Sequence, residues 1–323
     1  MKALVTGVAG FIGSALARRL VSDGHEVVGI DAFTEYYQPA FKRTNLASVP
    51  LDGFHLVEGD LNTVDLGPLL NDVELIFHLA GQPGVRGSWG PQFDRYVDRN
   101  VRATQRLLEA SRSSDSLGRF IFASSSSVYG DAERFPTLET DLPLPKSPYG
   151  VTKLAAESLV NLYARNFGLP TTSLRYFTVY GPRQRPDMAF TRFIRAALAD
   201  QPIKVFGSGE QVRDFTFIDD VVEANILAAS VEHEPGSVFN VAGGSQTSVN
   251  DVLELIANIT GKQLEVERSE AAQGDVERTS GSTGRISETL GWSAKVGIEN
   301  GLRAQLDWLA TAEPPSRTPM AWD

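Results

Sequence analysis

The chain has 323 residues, enough for about two domains of ordinary size, each able to bury its own core. A formal charge of −10 with no run of Lys or Arg argues against a nucleic-acid partner, and the absence of cysteine excludes disulfides, thiolate metal sites and thiol nucleophiles. With 42% apolar and 22% charged residues the composition is that of a folded globular protein, and no apolar run approaches the ~20 residues of a membrane span.

Met1 to Thr6 already read as a buried strand, so no leader is expected ahead of the fold and a cytoplasmic, reducing setting is expected. Strands are predicted at Ala3 to Thr6, Glu26 to Ile30, His55 to Glu58, Leu75 to Leu79, Arg119 to Ser124 and Thr171 to Tyr176. Apolar residues at three- and four-residue spacing predict helices between them at Ile12 to Ser22, Val101 to Ser111 and Lys153 to Phe167. This alternation is the pattern of an α/β protein with a doubly wound parallel sheet of the Rossmann type.

After about Tyr180 the rhythm changes to loops rich in Gly, Pro and Arg, with helices predicted at Ala189 to Ala199 and Val249 to Gly261 and a strand at Leu264 to Val266. A smaller C-terminal substrate-binding domain is therefore expected over 177–323, after a dinucleotide domain over 1–176. Residues 212–242 are expected to return to the first, as a helix at Asp214 to Ala229 and a strand at Ser237 to Val241. The proline-rich end from Glu313 reads as a surface tail.

The first strand runs into Gly7-Val8-Ala9-Gly10-Phe11-Ile12-Gly13 and then into helix. Glycines there let the backbone approach a pyrophosphate, and the helix N-terminus offers it unpaired N–H groups. At the end of the next strand stands Asp31, which can accept hydrogen bonds from an adenosine ribose and repels a 2′-phosphate, favouring NAD over NADP. A Gly-rich turn alone is weak evidence, but this one follows a strand, opens a helix and precedes a strand ending in Asp. Asp60-Leu61 and Leu79-Ala80-Gly81 follow later strands at the same carboxyl edge, either as cofactor contacts or as ordinary turns.

Tyr149 and Lys153 stand four apart at the start of a helix, so their side chains emerge one above the other. An ammonium and a nicotinium nearby would lower the phenol's pKa and let it take a proton from a sugar hydroxyl. The strand ending in Ser124-Ser125-Ser126-Ser127 brings hydroxyls to the same edge, one of them placed to bond the reacting oxygen.

Together these residues resemble the extended short-chain dehydrogenase/reductase family, with further matches at His78-Leu79-Ala80-Gly81, Arg175-Tyr176-Phe177 and Arg213-Asp214-Phe215. The resemblance implies that Ser125, Tyr149 and Lys153 are catalytic and that Tyr176 joins the NAD site. Dehydratases and decarboxylases of the family carry acidic residues where this chain has Ser126 and Ser127, so the branch implied is that of the 4-epimerases. Gln82 to Arg86, and Phe177 to Pro182 continuing to Ala189, are similar to UDP-glucuronate 4-epimerases, which have threonine, as at Thr178, in place of the asparagine of UDP-glucose relatives.

By that resemblance Ser126, Ser127 and Thr178 hold a sugar carboxylate with Arg185 and Arg86 nearby. Val205 and Phe206 lie in the stretch that sandwiches uracil, Ala189 and Arg213 meet the diphosphate, Asp275 the UDP ribose and Arg278 a phosphate. Ala32 and Ala272 depart from the family pattern, where Asn and Arg or Gln are usual. The implied reaction is reversible C4 epimerisation of UDP-glucuronate through a 4-keto sugar, by a homodimer paired through the helices near Val101 and Lys153. A UDP-glucose or UDP-N-acetylglucosamine 4-epimerase is the alternative within this chemistry. A catalytically silent sensor that binds NAD and a sugar nucleotide is the alternative of another class, against which the intact Ser125, Tyr149 and Lys153 speak.

Overall fold

The structure, a computed structural model, describes residues 1–270 and 274–311. The tail expected from Glu313 and the departure at Ala272 lie outside the described residues. The first half alternates β1 (Lys2–Thr6), α1 (Phe11–Ser22), β2 (Glu26–Asp31), α2 (Pro39–Leu46), β3 (Phe54–Glu58), α3 (Leu66–Leu70), β4 (Leu75–His78), α4 (Phe93–Tyr96), α5 (Ala103–Ser111), β5 (Arg119–Ser125), α6 (Pro148–Phe167) and β6 (Thr171–Tyr176). Then come β7 (Thr178–Tyr180), α7 (Ala189–Leu198), β8 (Ile203–Phe206), β9 (Val212–Phe217), α8 (Ile218–Ser230), β10 (Ser237–Val241), β11 (Gln246–Ser248), α9 (Val249–Thr260), β12 (Val266–Ser269), α10 (Gly284–Leu290) and α11 (Ile298–Thr311).

A seven-stranded sheet runs in the order β10-β6-β5-β4-β1-β2-β3, every pairing parallel. The chain builds outward from β1 to β3 and then restarts on the other side of β1 with β4. The carboxyl ends of β1 and β4 therefore flank the switch point, where an open sheet binds its ligands. Strands β4, β5 and β6 are buried along their whole length. Coverage on both faces explains the apolar run of β4 and of Phe120 to Ala123 in β5, while β6 buries polar side chains as well. Helices α1 and α8 pack one face through Leu16, Leu20, Val221 and Ala224, while α3, α5 and α6 pack the other through Leu69, Leu107, Ala156 and Val160.

Strand β10 joins the large sheet beside β6, as the sequence predicts, but Asp214 to Phe217 do not begin a helix. They belong to β9, which pairs with β7 and β11 in a small separate sheet. The two-residue alternation of Phe215 and Phe217 wins there. Both rings pack on Tyr180, at centroid distances of 6.3 and 5.5 Å, while Asp214 accepts the backbone N–H groups of Gly244 and Gly281. The strand expected at Leu264 to Val266 lies instead at Val266–Ser269, paired with β8. The helix expected from Val101 is preceded by α4 and a π-helical segment, Val97–Arg102, which buries Asn100. Among the described residues no helix is long and apolar enough to cross a membrane.

Candidate active site

Where β1 meets α1 the backbone turns through Gly7 with φ +68°, a conformation that disfavours a side chain. A Cβ on Gly13 would stand 2.2 Å from the Gly7 carbonyl oxygen, so the first helical turn lies directly on the loop. The N-cap Gly10 contributes no capping side chain, which suits a helix start that presents its N–H groups to an anion. At the end of β2 the buried Asp31 carboxylate accepts from the Ala9 amide (3.1 Å), the Phe33 amide (2.8 Å) and the Lys42 ammonium (3.0 Å). Lys42 lies within 6 Å of the Phe33 and Tyr37 ring centres, 5.9 and 5.7 Å away. Sequence reading missed it, since nothing in the spacing of α2 singles it out.

One cleft is lined by Gly7, Gly10, Phe11, Ile12, Gly13, Asp31, Asp60, Leu61, Leu79, Ala80, Gly81, Tyr149, Lys153 and Tyr176, the set that the sequence assigned to a dinucleotide. The side-chain-free cradle, the helix start and the buried carboxylate fit NAD.

Across the switch point, Ser147 caps α6 by accepting the Gly150 amide at 3.1 Å, and Pro148 fills its first position. Tyr149 thus sits in the first turn with Lys153 one turn on. The Ser125 side chain lies near enough to the Tyr149 phenol to favour its charged form, and its hydroxyl accepts the Ser127 amide at 3.1 Å. The Lys153 ammonium donates to the Ala123 carbonyl and lies 4.5 Å over the Phe122 ring. Burial pushes Lys153 down to about 8, opposed by Glu157 one turn further along α6. Burial also raises the Tyr149 phenol, against the pull of Ser125 and of the Arg185 charge. The sequence argument expected a lowered phenol. The closed setting outweighs its neighbours, so the ammonium and a nicotinium must act against that burial.

A second set of contacts holds this corner together. The Ala80 amide donates to Thr6 Oγ1 (3.0 Å), which meets His78 Nδ1 (2.8 Å), while His78 Nε2 meets Thr104 Oγ1 (2.9 Å). Thr104 donates its own proton to the Asn100 carbonyl, so His78 must donate from Nε2 and accept from Thr6 at Nδ1. Burial lowers His78 to about 3, keeping it neutral. The Asn100 side chain accepts the Gln82 amide and donates to the Gln82 carbonyl and to Thr152, whose hydroxyl donates to the Tyr149 carbonyl. Asn100 carries no signal in the sequence, because its partners are 18 and 52 residues away.

The residues assigned to the sugar nucleotide are less closely gathered. Ser126 and Ser127 form a short 3-10 turn capped by Ser125, and Thr178 opens β7 half-buried. Arg185 lines the dinucleotide cleft and is held by Asp187 through two contacts, at 3.0 and 2.9 Å. Beyond it Arg86 stacks on Phe206 (4.0 Å) and lies 4.0 Å from Asp275, which also binds Arg213. Val205 is buried in β8 beneath this group. Burial presses the Arg86 pKa down and Asp275 supports it, while the charges of Arg192 and Arg213 oppose it. Arg192, which the sequence reading passed over, sits on α7 one turn beyond Ala189, at a helix start with no capping side chain. Arg278 stands apart, exposed, against Gln246 and the Phe135 ring.

Comparison with known proteins agrees with this geometry. A Bacillus subtilis protein named as an uncharacterised UDP-glucose epimerase is 42% identical over 96% of this chain and 98% of its own length. UDP-glucuronate 4-epimerase of Thermodesulfobacterium geofontis is 34% identical over 94% of this chain and 95% of its own. The crystal structure of Bacillus cereus UDP-glucuronic acid 4-epimerase with UDP-glucuronic acid and NAD superposes with a TM-score of 0.93 at 42% identity, covering 96% of this chain and 99% of that one. Residues 3–242 match the NAD dependent epimerase/dehydratase family, and the chain belongs to that family.

Proposed function

We propose that the protein inverts C4 of a UDP-hexose, interconverting UDP-glucuronate and UDP-galacturonate. The observation that carries this reading is the meeting of Tyr149 and Lys153 on the wall of the dinucleotide cleft with Ser125 beside the phenol, and with serines instead of carboxylates at 126 and 127. A bound NAD supplies a reversible hydride acceptor for C4. Tyr149 takes the O4 proton and later returns it. Ser125 orients that oxygen, and Lys153 adds positive charge beneath the phenol.

Oxidation at C4 of a uronate gives a β-keto acid, which loses carbon dioxide when its carboxylate bond aligns with the carbonyl π system. Hydroxyls of Ser126, Ser127 and Thr178 supply donors that hold the carboxylate out of that alignment without adding a fixed charge. Arg86, Arg192 and Arg213 oppose the charge of the diphosphate, Phe206 offers a face to uracil, and Asp275 accepts from the UDP ribose.

A neutral UDP-hexose is the second reading, favoured by the Arg185–Asp187 pair, which commits that guanidinium to an internal carboxylate. NMR of the anomeric signals separates the two. Conversion of UDP-glucuronate with no conversion of UDP-glucose or UDP-N-acetylglucosamine is expected, and the reverse pattern removes the carboxylate assignment. Tyr149→Phe is expected to lower kcat by about a hundredfold or more while leaving KM near wild type.

Two copies are proposed to pair through α6, whose outer face leaves Val151, Leu162 and Phe167 about half exposed. A reducing, cytoplasmic setting is proposed from the cysteine-free sequence.

A further inference from the structure

Behind the catalytic residues lies a buried polar cluster that the reaction as described does not use. Ser124 donates to Glu157 Oε2 at 2.5 Å, and Arg175 clasps the same carboxylate through Nε (3.0 Å) and Nη2 (2.6 Å). Arg175 also donates to the Tyr129 hydroxyl (2.6 Å), which donates to Asn240 on β10 (2.7 Å). Ser124, Glu157 and Arg175 are each less than 5% exposed. An ion pair this deep contributes little net stability, because both charges are stripped of water.

Its position is more informative than its energy. Ser124 stands between Ala123, whose carbonyl receives Lys153, and Ser125, which lies beside the Tyr149 phenol. Glu157 stands one turn beyond Lys153 on the helix that carries both catalytic side chains. We propose that the Ser124–Glu157–Arg175 linkage is the positioning device of this active site, setting the end of β5 against α6 and fixing the Glu157 carboxylate one helical turn from Lys153. This rests on the catalytic reading of Ser125, Tyr149 and Lys153 given above.

The titratable groups around Lys153 are few. Tyr149 and Glu157 share its helix, His78 faces it from β4, Arg175 and Tyr176 lie on β6, and Arg185 and Tyr96 stand across the cleft by Tyr149. Glu157 is the carboxylate whose charge supports the ammonium. His78 stays neutral, and Arg175 forms one ion pair with Glu157, so removing the Glu157 charge leaves the Arg175 charge uncompensated near Lys153.

The test uses the holoenzyme with UDP-glucuronate or whichever UDP-hexose it converts, and three variants. Ser124→Ala keeps the ion pair and removes only the tie to β5. It is expected to lower kcat about tenfold with KM within about twofold, since small misplacements of reacting groups act on the chemical step. Glu157→Gln is expected to move the alkaline limb of the kcat profile down by about one pH unit, as Lys153 loses its counter-charge. Ser124→Ala with wild-type kcat overturns the linkage, and so does a folded Glu157→Gln with an unmoved alkaline limb. Should Glu157→Gln fail to fold, Ser124→Ala decides alone. Tyr149→Phe with full activity overturns the catalytic reading itself, whereas an inactive Tyr149→Phe beside a fully active Ser124→Ala overturns only the linkage.

Discussion

The two halves of the cleft are built by different means. The dinucleotide half is made of backbone: a glycine turn, a helix start and a carboxylate whose partners are two amides and one buried lysine. The half proposed for the sugar nucleotide carries long charged side chains, with Arg86 and Arg213 on the exposed Asp275 and Arg192 near enough to Arg86 to oppose its charge. A site made of backbone holds its shape before the ligand arrives. A site made of ion-paired arginines must exchange internal partners for ligand oxygens. The family's cofactor is reduced and reoxidised within one turnover and is best kept, whereas its substrate must enter and leave, and the two constructions suit those two demands.

Three substitutions break or sharpen this contrast. The largest effect is expected from Gly13→Ala, whose methyl would press on the Gly7 carbonyl. Overpacking of about 3 kcal/mol corresponds to a roughly hundredfold loss of dinucleotide affinity, read as depleted NAD in the purified protein and as turnover that needs added NAD. A smaller effect is expected from Arg213→Ala. Losing one partly exposed charged donor should raise KM for the UDP-sugar by about tenfold, leave the NAD content unchanged and weaken the salt dependence of KM. The smallest is expected from Arg278→Ala, with KM within about twofold of wild type, because its guanidinium is exposed and already held by Gln246. If Arg278→Ala matched Arg213→Ala, the sugar-nucleotide half would extend further along the β9 edge than Arg86 and Asp275 indicate.

The same contrast explains what the sequence reveals. The glycine turn, Asp31 and the Tyr149–Lys153 step are legible because their function is written in local spacing, and the structure brings them to one cleft. Lys42, Asn100, Arg192 and Glu157 are not legible, because each acts through a partner on another element. Arg185 is expected from the sequence near a sugar carboxylate, whereas its commitment to Asp187 two residues later emerges only from side-chain conformation. The strand at Asp214 was misread as helix for a related reason. Its phenylalanines alternate toward Tyr180, a ring more than thirty residues earlier in the chain, and no local period announces that partner.

The chain of contacts from Thr6 through His78 and Thr104 to Asn100 has every hydrogen assigned to one acceptor. Burial holds His78 neutral, so the chain carries no charge of its own. It is a strut and not a wire. Thr6 at the end of β1, His78 at the end of β4 and the helical turn at Asn100 are thereby locked to one another, so the two strand ends that flank the switch point keep their spacing whether or not the cleft is filled.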